Sequence, residues 1–149
     1  MSRVNPAIVT AKFAYMKQYL QDLIRFRDIS LEDYLNSDNH YVVERLLQLI
    51  ADVQTDVNRH LIKGLGGNQS KENAETPIVV SSLGVIEIGL AKKMSASIGL
   101  RNVIVHLYDE INPEIVYGAI AKTIADYAQY QRQILNYLDE LEKNYNHGN

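Results

Sequence analysis

Three side chains with chemical reach fall close together in the run Arg101-Asn102-Val103-Ile104-Val105-His106-Leu107-Tyr108. Histidine exchanges a proton near neutral pH, so it can take one from a ribose 2′-hydroxyl or return one to a leaving 5′-oxygen. Arginine offers a planar fork that suits phosphate oxygens and the extra charge of a phosphorane. Together they suit cleavage of an RNA phosphodiester without a metal, the substrate supplying its own nucleophile. DNA lacks the 2′-hydroxyl and would not be cut in this way. Each residue also has a plainer reading. Arg101 would pair with an acid on a neighbouring helix or reach out to solvent, His106 would sit on a wet face, and Tyr108 would be a core tyrosine with its hydroxyl bonded.

The run ends a segment that reads as a helix from about Ile86 towards Tyr108. On a wheel of 100° per residue with Met94 at zero, Leu90, Met94, Ile98 and Val105 fall within about 40° and form the core stripe. Arg101 falls at about −20° and Tyr108 at about −40°, both on that stripe. His106 falls at about 120°, on a strip with Ser95, Gly99 and Asn102. In a regular helix Arg101 and His106 thus point about 120–140° apart, too far to meet one phosphate easily. The length of arginine, a loosened helix end or a second subunit would each remedy this. A two-fold dimer that brings two copies of the helix together is the favoured arrangement.

Other groupings carry less. Asp52, Asp56 and His60 run at i, i+4 and i+8 and could ligate a metal, but spaced charges on a polar helix face look the same. His40 and Glu44 at i, i+4 share that ambiguity. Gly64 to Gly67 has neither a preceding strand nor a following Lys-Ser/Thr, so it is no phosphate-binding loop. Lys92-Lys93 is a small basic spot, useful to RNA but not diagnostic. No metal and no cofactor is expected.

Composition narrows the field. The 149 residues suffice for one domain, 1–149, with its own core. The net charge of −3 argues against a general nucleic-acid coat, though not against a local basic pocket. With no cysteine, disulfides and thiolate chemistry are excluded, and a reducing cytoplasm fits. No signal peptide is expected, and no run of about 18 apolar residues suggests a membrane span.

The elements that position the run follow from caps and periodicity. Asn5-Pro6 opens a helix to about Arg27, with Ile8, Tyr15, Tyr19, Leu23 and Phe26 on its stripe, widened by Val9, Met16, Leu20 and Ile24. Ser30 caps a short piece, Leu31 to Leu35. Asp38 caps a long helix, about Asn39 to Leu65, whose apolar face is Val43, Leu46, Leu47, Ile50, Val53, Val57 and Leu61; Gly66-Gly67 ends it. A polar loop runs to Glu75. Thr76-Pro77 restarts a helix that Gly84 breaks. Asn112-Pro113 opens a last helix of about 30 residues with Val116, Ile120, Ile124, Tyr127, Gln131, Ile134, Leu138 and Leu141 on one stripe, and a frayed tail from Asn146. The expected fold is all-α: an up-and-down helical bundle of four to five main helices.

Arg101-x4-His106-x-Tyr108 resembles the R-x4-H-x-Y signature of HepT-type toxins in the HEPN superfamily. Val43-Glu44-Arg45-x-Leu47-Gln48-Leu49-Ile50, followed by Asp56-x3-His60-Leu61-Ile62, is similar to the family's second helix. Gly99-Leu100 before the motif and Tyr108-Asp109-Glu110-Ile111-x-Pro113-x-x-Val116-Tyr117 fit as well. The likeness covers roughly Asp38 to the C-terminus; the N-terminal helix matches in character only. Leu107 departs from the small or basic residue of many relatives and alters the rim. The resemblance implies a HEPN-like homodimer with a metal-independent ribonuclease site at the dimer interface, Arg101 and His106 catalytic and Asn102 supporting. It also implies a partner, an MntA-type nucleotidyltransferase antitoxin that transfers AMP to Tyr108, with scope for a higher toxin–antitoxin assembly. The competing readings are a non-catalytic HEPN-like module that docks a nucleotidyltransferase or nucleotide, and a purely structural helical dimer.

Overall fold

Local caps set most of the helix boundaries in the computed structural model, which describes residues 3–147. α1 (Pro6–Ile24) begins where Asn5 Oδ1 accepts the Ala7 N–H at 3.0 Å and Pro6 fills the first turn. It stops short of Arg27, because residues 25–28 tighten into turns closed by Phe26 N–H to Leu23 O and Arg27 N–H to Ile24 O. Its buried face is Val9, Phe13, Met16, Leu20 and Leu23, whereas Ile8, Tyr15 and Ile24 of the expected stripe are exposed. α2 (Leu31–Leu35) is capped by Ser30 Oγ, which accepts the Asp33 N–H.

α3 (Asn39–Gly64) buries Val43, Leu46, Leu47, Ile50, Val57 and Leu61, as its periodicity requires. Its cap differs from expectation. The Asp38 side chain makes no capping bond, and Ser37 Oγ accepts the Asn39 N–H instead. The other end is a Schellman closure: Gly67 N–H reaches Ile62 O, Gly66 N–H reaches Lys63 O, and Gly66 takes φ +73°. α4 (Thr76–Ser82) ends the same way, with Val85 N–H to Val80 O, Gly84 N–H to Ser81 O and Gly84 at φ +85°. Thr76 does not cap α4 from outside. It is the helix's first residue, and its hydroxyl donates to Asn73 O within a 3-10 turn, Asn73–Glu75.

α5 (Ile88–His106) is shorter than expected at both ends. α6 (Pro113–His147) is entered through Asn112 Oδ1, which accepts the Glu114 N–H at 3.0 Å. At 1.5 Å per residue it spans about 50 Å. It stays helical through Asn146, where fraying was expected; Gly148 and Asn149 lie outside the described residues. α1 packs on α3 and α6, α3 on α5, and α5 on α6, so the four long helices close a ring, with α4 laid across α3 and α5. Leu23, Leu61, Met94 and Ile134 meet in one buried cluster. Each such side chain contributes about 1.5–3 kcal/mol on burial. No helix among the described residues is long and apolar enough to cross a membrane.

A polar chain crosses this apolar core. Gln54 Nε2 donates to Tyr127 Oη at 2.8 Å, Asn58 Nδ2 donates to Gln54 Oε1 at 2.8 Å and to Thr76 Oγ1 at 3.1 Å, and Tyr130 Oη donates to Asn58 Oδ1. Ser97 Oγ lies 2.9 Å from Tyr127 Oη, so the chain ties α3, α4, α5 and α6 in one register. Burial without such partners would cost about 1–3 kcal/mol per group. Each bonded pair therefore disfavours a slipped helix.

Candidate active site

Leu90, Met94 and Ile98 are buried, as the wheel places them, and α5 remains α-helical through His106. The regularity ends one residue later. Leu107 takes φ −128° and ψ 44°, and Tyr108–Glu110 form a 3-10 turn. Two expectations fail in this stretch. Tyr108 does not continue the core stripe but stands 50% exposed, and Val105, in the last turn of the helix, is 37% exposed. The chain leaves the helix axis before it can bury the phenol.

Arg101 is half-buried and has found an acid on the neighbouring helix. Its Nε donates to Asp52 Oδ1 at 2.7 Å, across α5 and α3. Nη1 lies 3.4 Å from Asn102 Oδ1. With Nε held, the Nη edge of the guanidinium is the part left to meet a phosphate. The sequence singled out Asp52 as a possible metal ligand with Asp56 and His60, but the three do not converge. Asp56 pairs with Lys12 Nζ at 3.1 Å, and His60 Nε2 accepts the Asn5 N–H at 2.9 Å. Pairing across the 49 positions between Asp52 and Arg101 leaves no local signal; only the acid's place on the polar face of α3 hints at it.

His106 is exposed at the C-terminal end of α5, and Asn102 is half-buried one turn before it. Gly99 completes the strip, and a Cβ built there would meet nothing within 4 Å. The strip is therefore open at Gly99 and at His106, while Asn102 is half-buried and Ser95 Oγ donates to Ala74 O at 2.6 Å. A cleft of about 480 Å³ lies on the other side of α5, lined by Ser97, Leu100, Ile115, Lys122 and Tyr127 among others. It includes none of Arg101, Asn102, His106 and Tyr108.

Tyr108 has neighbours that the motif did not reveal. Desolvation, then the negative charge of Glu44 and Tyr41, hold its phenol above the usual range. Glu44 is only 7% exposed. Its Oε2 lies 3.4 Å from His40 Nδ1, so the i, i+4 pair seen in the sequence is a contact between the two side chains. The Tyr34 ring stands edge-on to His40 with centroids 6.5 Å apart, fully buried, its hydroxyl without a hydrogen-bond partner among the described residues.

A family model described as ribonuclease HepT-like matches residues 16–134. The match begins inside α1 and so reaches further towards the N-terminus than the motifs do. A tRNA nuclease HepT from Aphanizomenon flos-aquae (strain 2012/KM1/D3) is 38% identical over 144 residues, covering 96% of this chain and 98% of that protein. Among solved structures, a toxin–antitoxin with AMP-PNP superposes with a TM-score of 0.80 at 18% identity, covering 87% of this chain and 98% of the other. A tri-AMPylated HEPN toxin of Shewanella oneidensis in complex with an MNT antitoxin superposes with a TM-score of 0.79 at 19% identity, covering 87% and 97%. At these identities the structural likeness speaks for the fold.

Proposed function

Because this chain belongs to the ribonuclease HepT-like family and is by that membership a ribonuclease, we propose that it is the toxin of a toxin–antitoxin pair, cutting RNA at a site that two subunits of a homodimer share. The observation that carries the shared site is the state of α5. The helix is intact through His106, so Arg101 and His106 project about 140° apart and no loosening brings them together. Each chain then holds half of a site. The open Gly99–Asn102–His106 strip suits close approach of a second α5. Two-fold symmetry would set the Arg101 of each subunit near the His106 of the other.

In such a site one histidine takes the proton of the 2′-hydroxyl as that oxygen attacks phosphorus. The bond to the 5′-oxygen breaks, and the same histidine, now protonated, returns that proton to the leaving oxygen. The Arg101 forks, held through Nε by Asp52, stabilise the phosphorane oxygens, and Asn102 supports the guanidinium. The 38%-identical relative is a tRNA nuclease by name, which makes tRNA the substrate to test first.

Regulation completes the reading. The partner is a nucleotidyltransferase antitoxin, as in the complex of the similar Shewanella toxin, and it adds AMP to Tyr108. The exposure of Tyr108 next to the motif supports this, since an acceptor must be reachable. The added phosphate would repel the RNA backbone. Induced expression of wild type, Arg101→Ala and His106→Ala tests the whole. Growth arrest by wild type alone is expected; arrest by all three, or by none, would overturn the nuclease reading.

A further inference from the structure

The cleft between α5 and α6 holds polar groups that the fold leaves unanswered. Its walls are apolar: Leu47 of α3, Leu100 of α5, and Ile115 and Ala119 of α6. Thr123 also lines it, is only 6% exposed, and makes no hydrogen bond through its hydroxyl among the described residues. Ser97 supplies a second hydroxyl, and the direction of the core's polar chain fixes its proton. Gln54 Nε2 donates to the Met94 carbonyl at 3.3 Å and to Tyr127 Oη at 2.8 Å, so the amide nitrogen faces the phenol and the phenol accepts. The one proton of the fully buried Tyr127 then has Ser97 Oγ, 2.9 Å away, as its acceptor. Ser97 accepts, and its own proton has no acceptor among the described residues but faces the cleft that Ser97 lines. The reverse assignment would strand the phenolic proton in the core and leave a buried hydrogen bond unmade. The rim is basic. Lys122 is exposed and paired with no acid among the described residues. Lys93 meets Asp126, the one acid of the lining, at 3.9 Å. Two lysines against one aspartate leave the mouth positive on a chain whose net charge is −3.

We propose that this cleft binds a nucleotide, with the base between its apolar walls, the Ser97 and Thr123 hydroxyls on the base edge and Lys122 on the phosphate. Each part of that ligand answers a group on the page. A volume of about 480 Å³ lies within the range of small-molecule sites, about 300–1,000 Å³. Leucine, isoleucine and alanine side chains suit the faces of a base. A fatty tail would satisfy those walls but leave both hydroxyls unpaired, whereas a base edge carries acceptors for Ser97 and Thr123 and donors for Thr123. The unpaired ammonium suits phosphate as a point charge. The same chemistry is offered by a free mononucleotide and by one nucleotide of an RNA strand. The cleft is separate from the ribonuclease motif, since it includes none of Arg101, Asn102, His106 and Tyr108, and binding there requires no cleavage.

The test titrates the full-length chain with AMP, adenosine, inorganic phosphate, decanoate and a 2′-O-methyl RNA tetranucleotide that cannot be cut. Calorimetry gives the affinities, and methyl spectra of alanine-labelled protein show whether Ala96 and Ala119 of the lining respond. Wild type should bind AMP or the tetranucleotide more tightly than phosphate or decanoate, with both methyl signals shifted. AMP binding at least as tightly as the tetranucleotide assigns the free nucleotide; tighter binding of the tetranucleotide assigns the strand. Thr123→Val, which keeps the shape of the side chain, and Lys122→Ala should each weaken the preferred ligand by about threefold to tenfold. Lys122→Ala should leave adenosine unchanged, since adenosine has no phosphate. Lys122 is exposed, so its removal spares the core, and Lys122→Ala decides the matter if Thr123→Val melts well below wild type. No binding of AMP or the tetranucleotide, binding indifferent to both substitutions, or methyl shifts that spare Ala96 and Ala119 overturns the proposal. Phosphate that matches AMP overturns it too, by reducing the site to a charged rim. So does decanoate that outbinds both nucleotides, by making the cleft an apolar slot.

Discussion

Arg101 Nε donates to Asp52 Oδ1 at 2.7 Å, and this contact joins the motif helix α5 to α3. The pair is partly wet, with the two side chains 21% and 42% exposed, so it contributes little to stability, about 0–1 kcal/mol. On the proposed reading of Arg101 as a catalytic group, what it supplies is aim. Without the carboxylate the guanidinium is free to swing, and a misplaced catalytic group costs about tenfold to a hundredfold in rate. Asp52→Ala is therefore expected to cut RNA cleavage by that factor while the melting temperature moves by about 3 °C or less. Cleavage kinetics beside a thermal melt check this; a large loss of stability at full specific activity would assign the pair to the fold instead.

Tyr108→Phe should escape the antitoxin. A phenylalanine fills the same half-exposed place beside Leu107 but offers no oxygen to a nucleotidyltransferase. In cells that co-express the antitoxin, wild type is expected to be tolerated and Tyr108→Phe to arrest growth. Colony counts are the readout, and rescue of both by the antitoxin would place the control elsewhere.

The polar chain in the core makes a stability prediction. Tyr130→Phe removes the donor to Asn58 Oδ1 and leaves that oxygen buried and unpaired. The expected cost is about 1–3 kcal/mol, measured by chemical denaturation. Tyr15→Phe, at an exposed position of α1, should change stability by no more than about 0.5 kcal/mol.

Alkali should unfold the bundle through its tyrosines. Burial pushes Tyr127 up to about 12 and also raises Tyr130 and Tyr34 well above the usual range. Above pH 10 the unfolded chain releases these phenolic protons while the folded chain keeps them, so the unfolded state binds fewer protons and stability falls as pH rises. The contribution of Tyr127 is fully present below pH 10 and is lost by about 12. Denaturant midpoints at pH 8, 10 and 11 should show a plateau and then a decline. Tyr127→Phe should soften that decline.

Much of this was legible in the chain itself, for physical reasons that also explain the misses. Asn5-Pro6, Gly66-Gly67, Gly84 and Asn112-Pro113 act through local backbone chemistry, and each marks a boundary where it stands. The buried faces of α3 and α6 follow from a single period over many turns. The exit of α5 at Leu107 has no such marker, since no glycine or proline intervenes before Pro113. A wheel carried past that point therefore buried a tyrosine that the structure exposes. Gln54, Asn58 and Glu44 were invisible as buried groups because their partners come from elsewhere in the fold or from one turn away. The R-x4-H spacing itself was readable, and so was the divergence of its two side chains.

That divergence leads to the most direct measurement. Arg101→Ala and His106→Ala chains, each inactive alone, are mixed, allowed to exchange subunits and assayed on RNA. If the site is shared, a mixed dimer joins the intact Arg101 of one chain to the intact His106 of the other. Activity should then return to on the order of a quarter of wild type, since half of the dimers are mixed and each retains half of its pairs. A mixture that stays inactive, with subunit exchange verified by mass, would contradict the shared site and return both residues to a single chain.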